Sequence, residues 1–200
     1  TEVKTNKISP ATGVAFALGD SGDTFTIPSG ATIANLGTAT GFGGITVGDQ
    51  WRLTTTFSGD ADPIASNWEQ IDVAARLQGT LGSAMTESSG VFTFPSTGIY
   101  LVIIHCNYAI NGDDRSVTVN INATNDDTAY AVTAQQTAFI QQTSSNWTGS
   151  SAAAQTLVDV QDTANDKVSF SIDGQNGSTE VQGSTNESLT SVTFTRLGDT

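Results

Sequence analysis

Hydrophobic and polar residues alternate in short runs along most of the chain. Val117, Val119 and Ile121 are separated by single polar residues, as are Val168, Phe170 and Ile172, and Val192 and Phe194. A period of two belongs to strands with one buried face. Trp51, Leu53 and Thr55 share one face of an earlier run, and Tyr130 with Val132 opens a later one. Residues 99–110 are apolar on both faces, which predicts a central strand. Turn chemistry punctuates these runs: Pro95-Ser96-Thr97-Gly98, the hairpin signal Asn111-Gly112-Asp113-Asp114, clusters at 122–127 and 162–166, and Asp173-Gly174. Residues 143–151 read as a polar loop before a strand holding Leu157, Val158 and Val160, and residues 174–188 as a second long loop. Only residues 67–77 show near-helical spacing, through Trp68, Ile71, Ala74 and Ala75, and predict a short helical turn. The pattern is all-β, an antiparallel sandwich or jelly roll.

The first 48 residues differ from the remainder. Thr24-Phe25-Thr26-Ile27 predicts a short strand, Pro28-Ser29-Gly30 a turn, residues 31–36 another short strand, and Gly41, Gly43 and Gly44 a break. Such pieces are too short to enclose a core. Their apolar residues, among them Val14, Phe16, Leu18, Phe25 and Ile27, imply packing on something else, including other copies of the chain. The division expected is an arm over 1–48 and a β domain over 49–200.

Composition sharpens this. Charged residues are 14% of the 200, and twenty Asp and Glu against seven Lys and Arg give a net charge of −13. Phosphate neutralisation needs Lys and Arg clusters, so nucleic acid is not the expected partner. No apolar run approaches the ~20 residues of a membrane-spanning helix, so no membrane insertion is expected. Cys106 is the one cysteine and His105 the one histidine. Neighbouring strand residues point to opposite faces, so the two are not expected to form a nucleophile–base pair. Cys106 reads as a core residue. The given sequence opens Thr1-Glu2-Val3-Lys4 with no basic-plus-apolar signal, and a start without Met fits either initiator Met removal or an excised segment; a native N-terminus made in a cytoplasm is the expectation. Sequons start at Asn122, Asn146, Asn176 and Asn186, and chance in an Asn-, Ser- and Thr-rich chain accounts for them.

Residues 90–103, Gly-Val-Phe-Thr-Phe-Pro-Ser-Thr-Gly-Ile-Tyr-Leu-Val-Ile, resemble the signature of C1q/TNF-like jelly rolls. Gln155-Thr-Leu-Val-Asp-Val160 followed by Asn165-Asp-Lys-Val-Ser-Phe170 resembles the same family's paired strands, and the chain ends in a strand with Phe194. The family's final motif is only partly present, as Phe194-Thr-Arg-Leu197. Separately, Lys4-Thr-Asn-Lys-Ile-Ser-Pro10, residues 18–30 and Gly37-Thr-Ala-Thr-Gly-Phe-Gly43 resemble the opening of small tail-fibre and fibre-like virion proteins of tailed phages, notably those of marine cyanobacteria. These resemblances imply a homotrimeric virion protein. Phe16, Phe25 and Ile27 would belong to the arm that meets other virion proteins, and the head would face a host-surface glycan or protein or decorate the particle. Trimerisation would also supply the packing that the arm lacks.

Candidate contacts for such a partner are Trp147 in the polar loop, where an indole can stack on a sugar, and the acidic pairs Asp113-Asp114 and Asp126-Asp127 at expected hairpin tips. Carboxylates with Asn oxygens suit Ca²⁺, but no calcium-loop pattern is present and the pairs read first as turn formers. No metal ligand and no cofactor is assigned. Trp51, Phe92, Phe94, Tyr100, Phe170 and Phe194 are expected in the core or a trimer interface. The scattered carboxylates point to no catalytic residue, so the expectation is a binding protein rather than an enzyme. A glycan-cleaving head and a secreted C1q-like protein are the alternatives.

Overall fold

The computed structural model describes residues 22–24, 26–32, 44–174 and 176–200. The chain divides into two compact units, Thr1–Phe42 and Gly43–Thr200. In the first unit Pro28–Gly30 forms the expected turn, closed by the Ala31 amide on the Pro28 carbonyl at 3.1 Å. Thr24, Thr26 and Ile27 are not in a strand, and Ile27 is exposed. Phe16, Phe25 and most of the expected strand at 31–36 lie outside the described residues.

The second unit holds β1 (Gly48–Leu53), β2 (Phe57–Ser58), β3 (Trp68–Gln70), β4 (Thr86–Ser88), β5 (Val91–Thr93), β6 (Gly98–Ile110), β7 (Asp114–Thr124), β8 (Ala131–Ile140), β9 (Thr148–Val160), β10 (Lys167–Gly174), β11 (Glu180–Val181) and β12 (Ser191–Gly198). They form two antiparallel sheets. The first runs β3-β1-β12-β6, with β9 on the far edge of β6 and β11 and β2 beyond the end of β12. The second runs β4-β5-β10-β7-β8. The result is a jelly-roll sandwich with no α-helix among the described residues.

The core lies between the sheets and is built from the alternation read in sequence. Val117, Val119 and Ile121 of β7 meet Val168, Phe170 and Ile172 of β10 on the inward face, opposite Tyr100, Val102 and Ile104 of β6. Phe92 sits at its aromatic centre, with ring centroids 5.6 Å from Trp51, 5.4 Å from Trp68, 5.4 Å from Phe170 and 5.3 Å from Phe194. Phe94 and Tyr100 pack at 4.7 Å. Such contacts add to the area each ring buries. Gly98 opens β6 at φ 140°, and a Cβ there would lie 2.5 Å from the Gly198 carbonyl oxygen. Only glycine lets the two strand ends approach that closely.

Two elements differ from the sequence reading. The helical turn over 67–77 is replaced by β3, paired to β1 through Trp51↔Gln70 and Leu53↔Trp68, and by a single 3-10 turn at Ala74–Arg76. The Trp68 indole donates to the Ile64 carbonyl at 2.8 Å and packs on Phe92, so tertiary pairing overrides the local spacing. β9 begins at Thr148 rather than after residue 151. Its Ser- and Ala-rich first half is extended because β6 offers a thirteen-residue edge, paired from Gly98↔Val160 to Ile110↔Thr148.

Asp49 is buried and is the acceptor that ties β1 to its surroundings. Gln50 N–H and Gln70 Nε2 donate to Oδ1, both at 2.9 Å, and Thr80 Oγ1 at 3.2 Å. Met85 N–H and Trp51 Nε1 donate to Oδ2 at 2.8 and 2.9 Å. Cys106 points into the core while His105, next to it, lies on the opposite face, so they do not form a catalytic pair. Burial pushes the Cys106 thiol up to about 12.

Candidate binding surfaces

β7 carries one acidic pair at each end. It is 11 residues long, so Asp113-Asp114 and Asp126-Asp127 lie about 35 Å apart, at opposite ends of the sandwich. They do not form one site, and their four carboxylates do not face each other across the ~5–10 Å that glycoside hydrolysis requires.

At the first end, the β6–β7 hairpin is tied to the β8–β9 loop. Gln142 donates its backbone N–H to Asp113 Oδ1 at 2.5 Å and its amide to Asn111 Oδ1 at 2.7 Å and the Asn146 carbonyl at 3.4 Å. Asn176 donates to the Asp113 carbonyl at 3.1 Å, joining the β10–β11 loop to the same corner. Three loops thus converge there. Asp114 differs from its partner: it is 2% exposed, accepts the Thr179 hydroxyl and the Ser116 N–H, and is a structural tie rather than a surface contact. A register irregularity between Asp114 and Val117 breaks the alternation of β7 there, and Asp114 is buried while Asp113 stays exposed. Trp147 closes the β8–β9 loop with its ring 53% exposed and its backbone N–H on Asn146 Oδ1 at 2.8 Å. Phe139, which the sequence reading did not single out, is 73% exposed beside a shallow cavity of about 420 Å³ lined by Asp113, Arg115 and Gln141. Its place in a run of Thr, Ala and Gln gave it no distinguishing period.

At the other end, Asp126 and Asp127 shape the β7–β8 turn. Asp126 Oδ1 accepts the Ala129 N–H at 2.8 Å, the Thr124 hydroxyl at 2.7 Å and the Thr128 N–H at 2.9 Å, and these bonds hold its carboxyl well below the usual range. Asp127 takes φ 56° and pairs with Lys167 at 3.3 Å. Both are exposed, but the Asp126 carboxylate is occupied by the turn and that of Asp127 by Lys167 of β10 and the Tyr130 hydroxyl. Among the described residues no group of three or more His, Cys, Asp or Glu is arranged to hold a metal ion. Trp51, Phe92, Phe94, Tyr100, Phe170 and Phe194 lie inside a single chain's sandwich.

The outer face of the first sheet is apolar over part of its area. Tyr100, Val102 and Ile104 point into the core, so Ile99, Leu101 and Ile103 point outward and are half-buried. Leu101 pairs with Leu157 of β9, which is 62% exposed, and Leu197 of β12 is also exposed nearby, at the end of β12 that pairs with Ile99.

No family model matches the chain, and no curated protein matches it. Solved structures do. An Eiger TNF from S. frugiperda superposes with a TM-score of 0.56 at 16% identity, covering 77% of this chain and 94% of that one. Murine APRIL at pH 5.0 superposes with a TM-score of 0.52 at 10% identity, covering 76% and 98%. The fold is a TNF-like jelly roll. At these identities the TNF-like likeness is one of fold.

Proposed function

We propose that the chain is a virion structural protein of a tailed phage, a fibre or appendage protein with a trimeric TNF-like head. The arm, residues 1–42, attaches to other virion proteins, and the head, residues 43–200, meets a host-surface molecule or decorates the particle. The protein is made in the host cytoplasm and resides on the assembled virion.

The observation that favours this reading most is the apolar outer face of a TNF-like sheet. Leu157, Leu101, Ile99 and Leu197 are exposed or half-buried on one surface of an otherwise polar, strongly acidic chain. Contiguous apolar area of this kind marks association sites. Cyclic packing of identical chains buries such a patch in a closed assembly. The resemblance of the first 43 residues to tail-fibre openings gives the assembly its place. Binding then works by avidity: three heads per fibre and several fibres per particle multiply weak contacts without chemistry. The separation of the two acidic pairs supports binding over glycan cleavage at those residues.

Immunogold electron microscopy of phage particles with antibodies to the full chain tests the assignment. Label confined to tail, baseplate or capsid appendages is expected. Particles that carry the gene but never the label would contradict it.

A further inference from the structure

The outer face of the second sheet is mostly polar, yet several of its polar side chains are almost wholly buried, Asn120 and Asn122 of β7 among them. Asn120 is 7% exposed and Asn122 4%. They alternate with the core residues Val119 and Ile121, so both point outward from β7. Their register partners on β10 are Ser171 and Ser169. Beyond β10 the chain at Asp60–Ile64 extends the sheet, through the bridge Ala61↔Ile172 and the Ile64 N–H on the Phe170 carbonyl at 2.8 Å. Because Ala61 and Ile172 face the core, Asp60 and Asp62 flank them outward on one strand and Ser171 and Asp173 on the next. Tyr130 and Val132 wall the opposite side. Together these residues line a groove of about 370 Å³.

The hydrogen bonds on the groove floor leave both donors and acceptors free among the described residues. Asn120 Nδ2 and Asn122 Nδ2 both donate to Ser171 Oγ, at 3.2 and 3.0 Å. Ser171 Oγ therefore has its lone pairs occupied and must use its own O–H as a donor. Among the described residues no acceptor takes that proton, and the Asn120 and Asn122 carbonyl oxygens accept no donor either. In the walls Asp60 accepts the Gly174 N–H at 2.6 Å, while Asp62 and Asp173 are exposed carboxylates with no donor among the described residues. The groove thus presents the Ser171 hydroxyl and the second amide protons of Asn120 and Asn122 as donors, with a larger set of acceptors, around a cavity beside a tyrosine ring and a valine. The volume is at the lower end for small-molecule sites.

A ligand for this groove must be rich in donors, carry some acceptor, and show an apolar face to Tyr130 and Val132. A metal ion can coordinate the groove's oxygens but offers no acceptor for its donors and no apolar face, and among the described residues no group of three or more His, Cys, Asp or Glu is arranged to hold one. A sugar satisfies all three: its hydroxyls donate to carboxylates and amide oxygens, a ring or hydroxyl oxygen takes the Ser171 proton, and its C–H face packs on the aromatic ring. We propose that the groove over Asn120, Asn122 and Ser171 is a saccharide-binding site for a single pyranose unit. The inference rests on the reading of the head as a binding domain and gives that reading a ligand class. It places recognition on a sheet face rather than at the Trp147 loop.

The test is NMR of the full-length chain, following the side-chain amide resonances of Asn120 and Asn122 during titration with galactose, glucose, mannose and N-acetylglucosamine, each alone. Saturable shifts of both amides with at least one sugar are expected. Ser171→Ala, and separately the exposed Asp62→Asn, should each weaken that binding by about three- to tenfold, and Trp147→Ala should leave it unchanged. Asp62→Asn keeps the test decisive should Ser171→Ala fail to fold. Response to none of the four sugars, shifts with calcium chloride alone, loss of binding in Trp147→Ala but not Asp62→Asn, or hydrolysis of a glycoside at the groove would each overturn the proposal. None of these outcomes bears on immunogold labelling of the particle, so this site and the virion assignment fail independently.

Discussion

Thr179 donates its hydroxyl to the Asp114 carboxylate in the buried end of the sandwich, joining the β10–β11 loop to the first residue of β7 across 65 positions of sequence. Asp114→Ala removes the acceptor and leaves the Thr179 hydroxyl and the Ser116 N–H unpaired. The expected loss is about 1–3 kcal/mol of stability. It should read as a lower urea midpoint at unchanged slope, measured at fixed protein concentration. Asp113→Ala, one residue away but exposed, should cost less, since water replaces its bond to Gln142. Equal losses for the two variants would contradict the placement of Asp114.

Asp49 predicts a larger effect. Asp49→Ala leaves donors from Gln50, Trp51, Gln70, Thr80 and Met85 without their common acceptor. At least about 3 kcal/mol is expected, because several of those donors are buried or half-buried. A variant within 1 kcal/mol of the parent (about the net value of one hydrogen bond) would show that water fills the site.

The strands were legible where the sequence has its own period, and illegible where a partner imposes the conformation. Val117-Val119-Ile121 and Val168-Phe170-Ile172 announce β7 and β10, and the two-faced run at 99–110 announces the central β6. The first half of β9, rich in Ser and Ala, carries no strand signal and is extended only because β6 lies beside it. Trp68–Gln70 has helical spacing but pairs with β1. The candidate contacts divide in the same way. Asp113 and Asp114 look alike in sequence, yet one is exposed and the other buried beside a register irregularity in β7 that alternation does not announce. The Asn120–Ser171 floor had a signal, polar residues alternating with Val119 and Ile121. What raised it above an ordinary outer face was the burial supplied by Tyr130 and the Asp60–Ile64 segment, and this is non-local.

Cys106 should be inert. Its raised pKa keeps the thiol protonated at neutral pH, and its burial blocks access. A thiol reagent at pH 8 should modify it only in denaturant. The folded pKa lies above the ordinary value of 9.0, so this group's contribution to stability is intact below about pH 9 and is lost as pH rises toward about 12. Rapid labelling of the folded chain would place Cys106 at the surface instead.

Leu157 faces outward beside Leu101, and the proposed trimer would bury that pair between copies. Leu157→Asp puts a charge into the shared patch without touching the core of one chain. It should dissociate the assembly while leaving the β-sheet circular dichroism of the chain intact. An assembly that survives this change uses a different face.

The central claim is a closed trimer built on the apolar face of a TNF-like head, and light scattering on a sizing column tests it most directly. The account predicts a mass of about 62 kDa, three times the 20.7 kDa chain. A mass near 20.7 kDa across the accessible concentration range would contradict it.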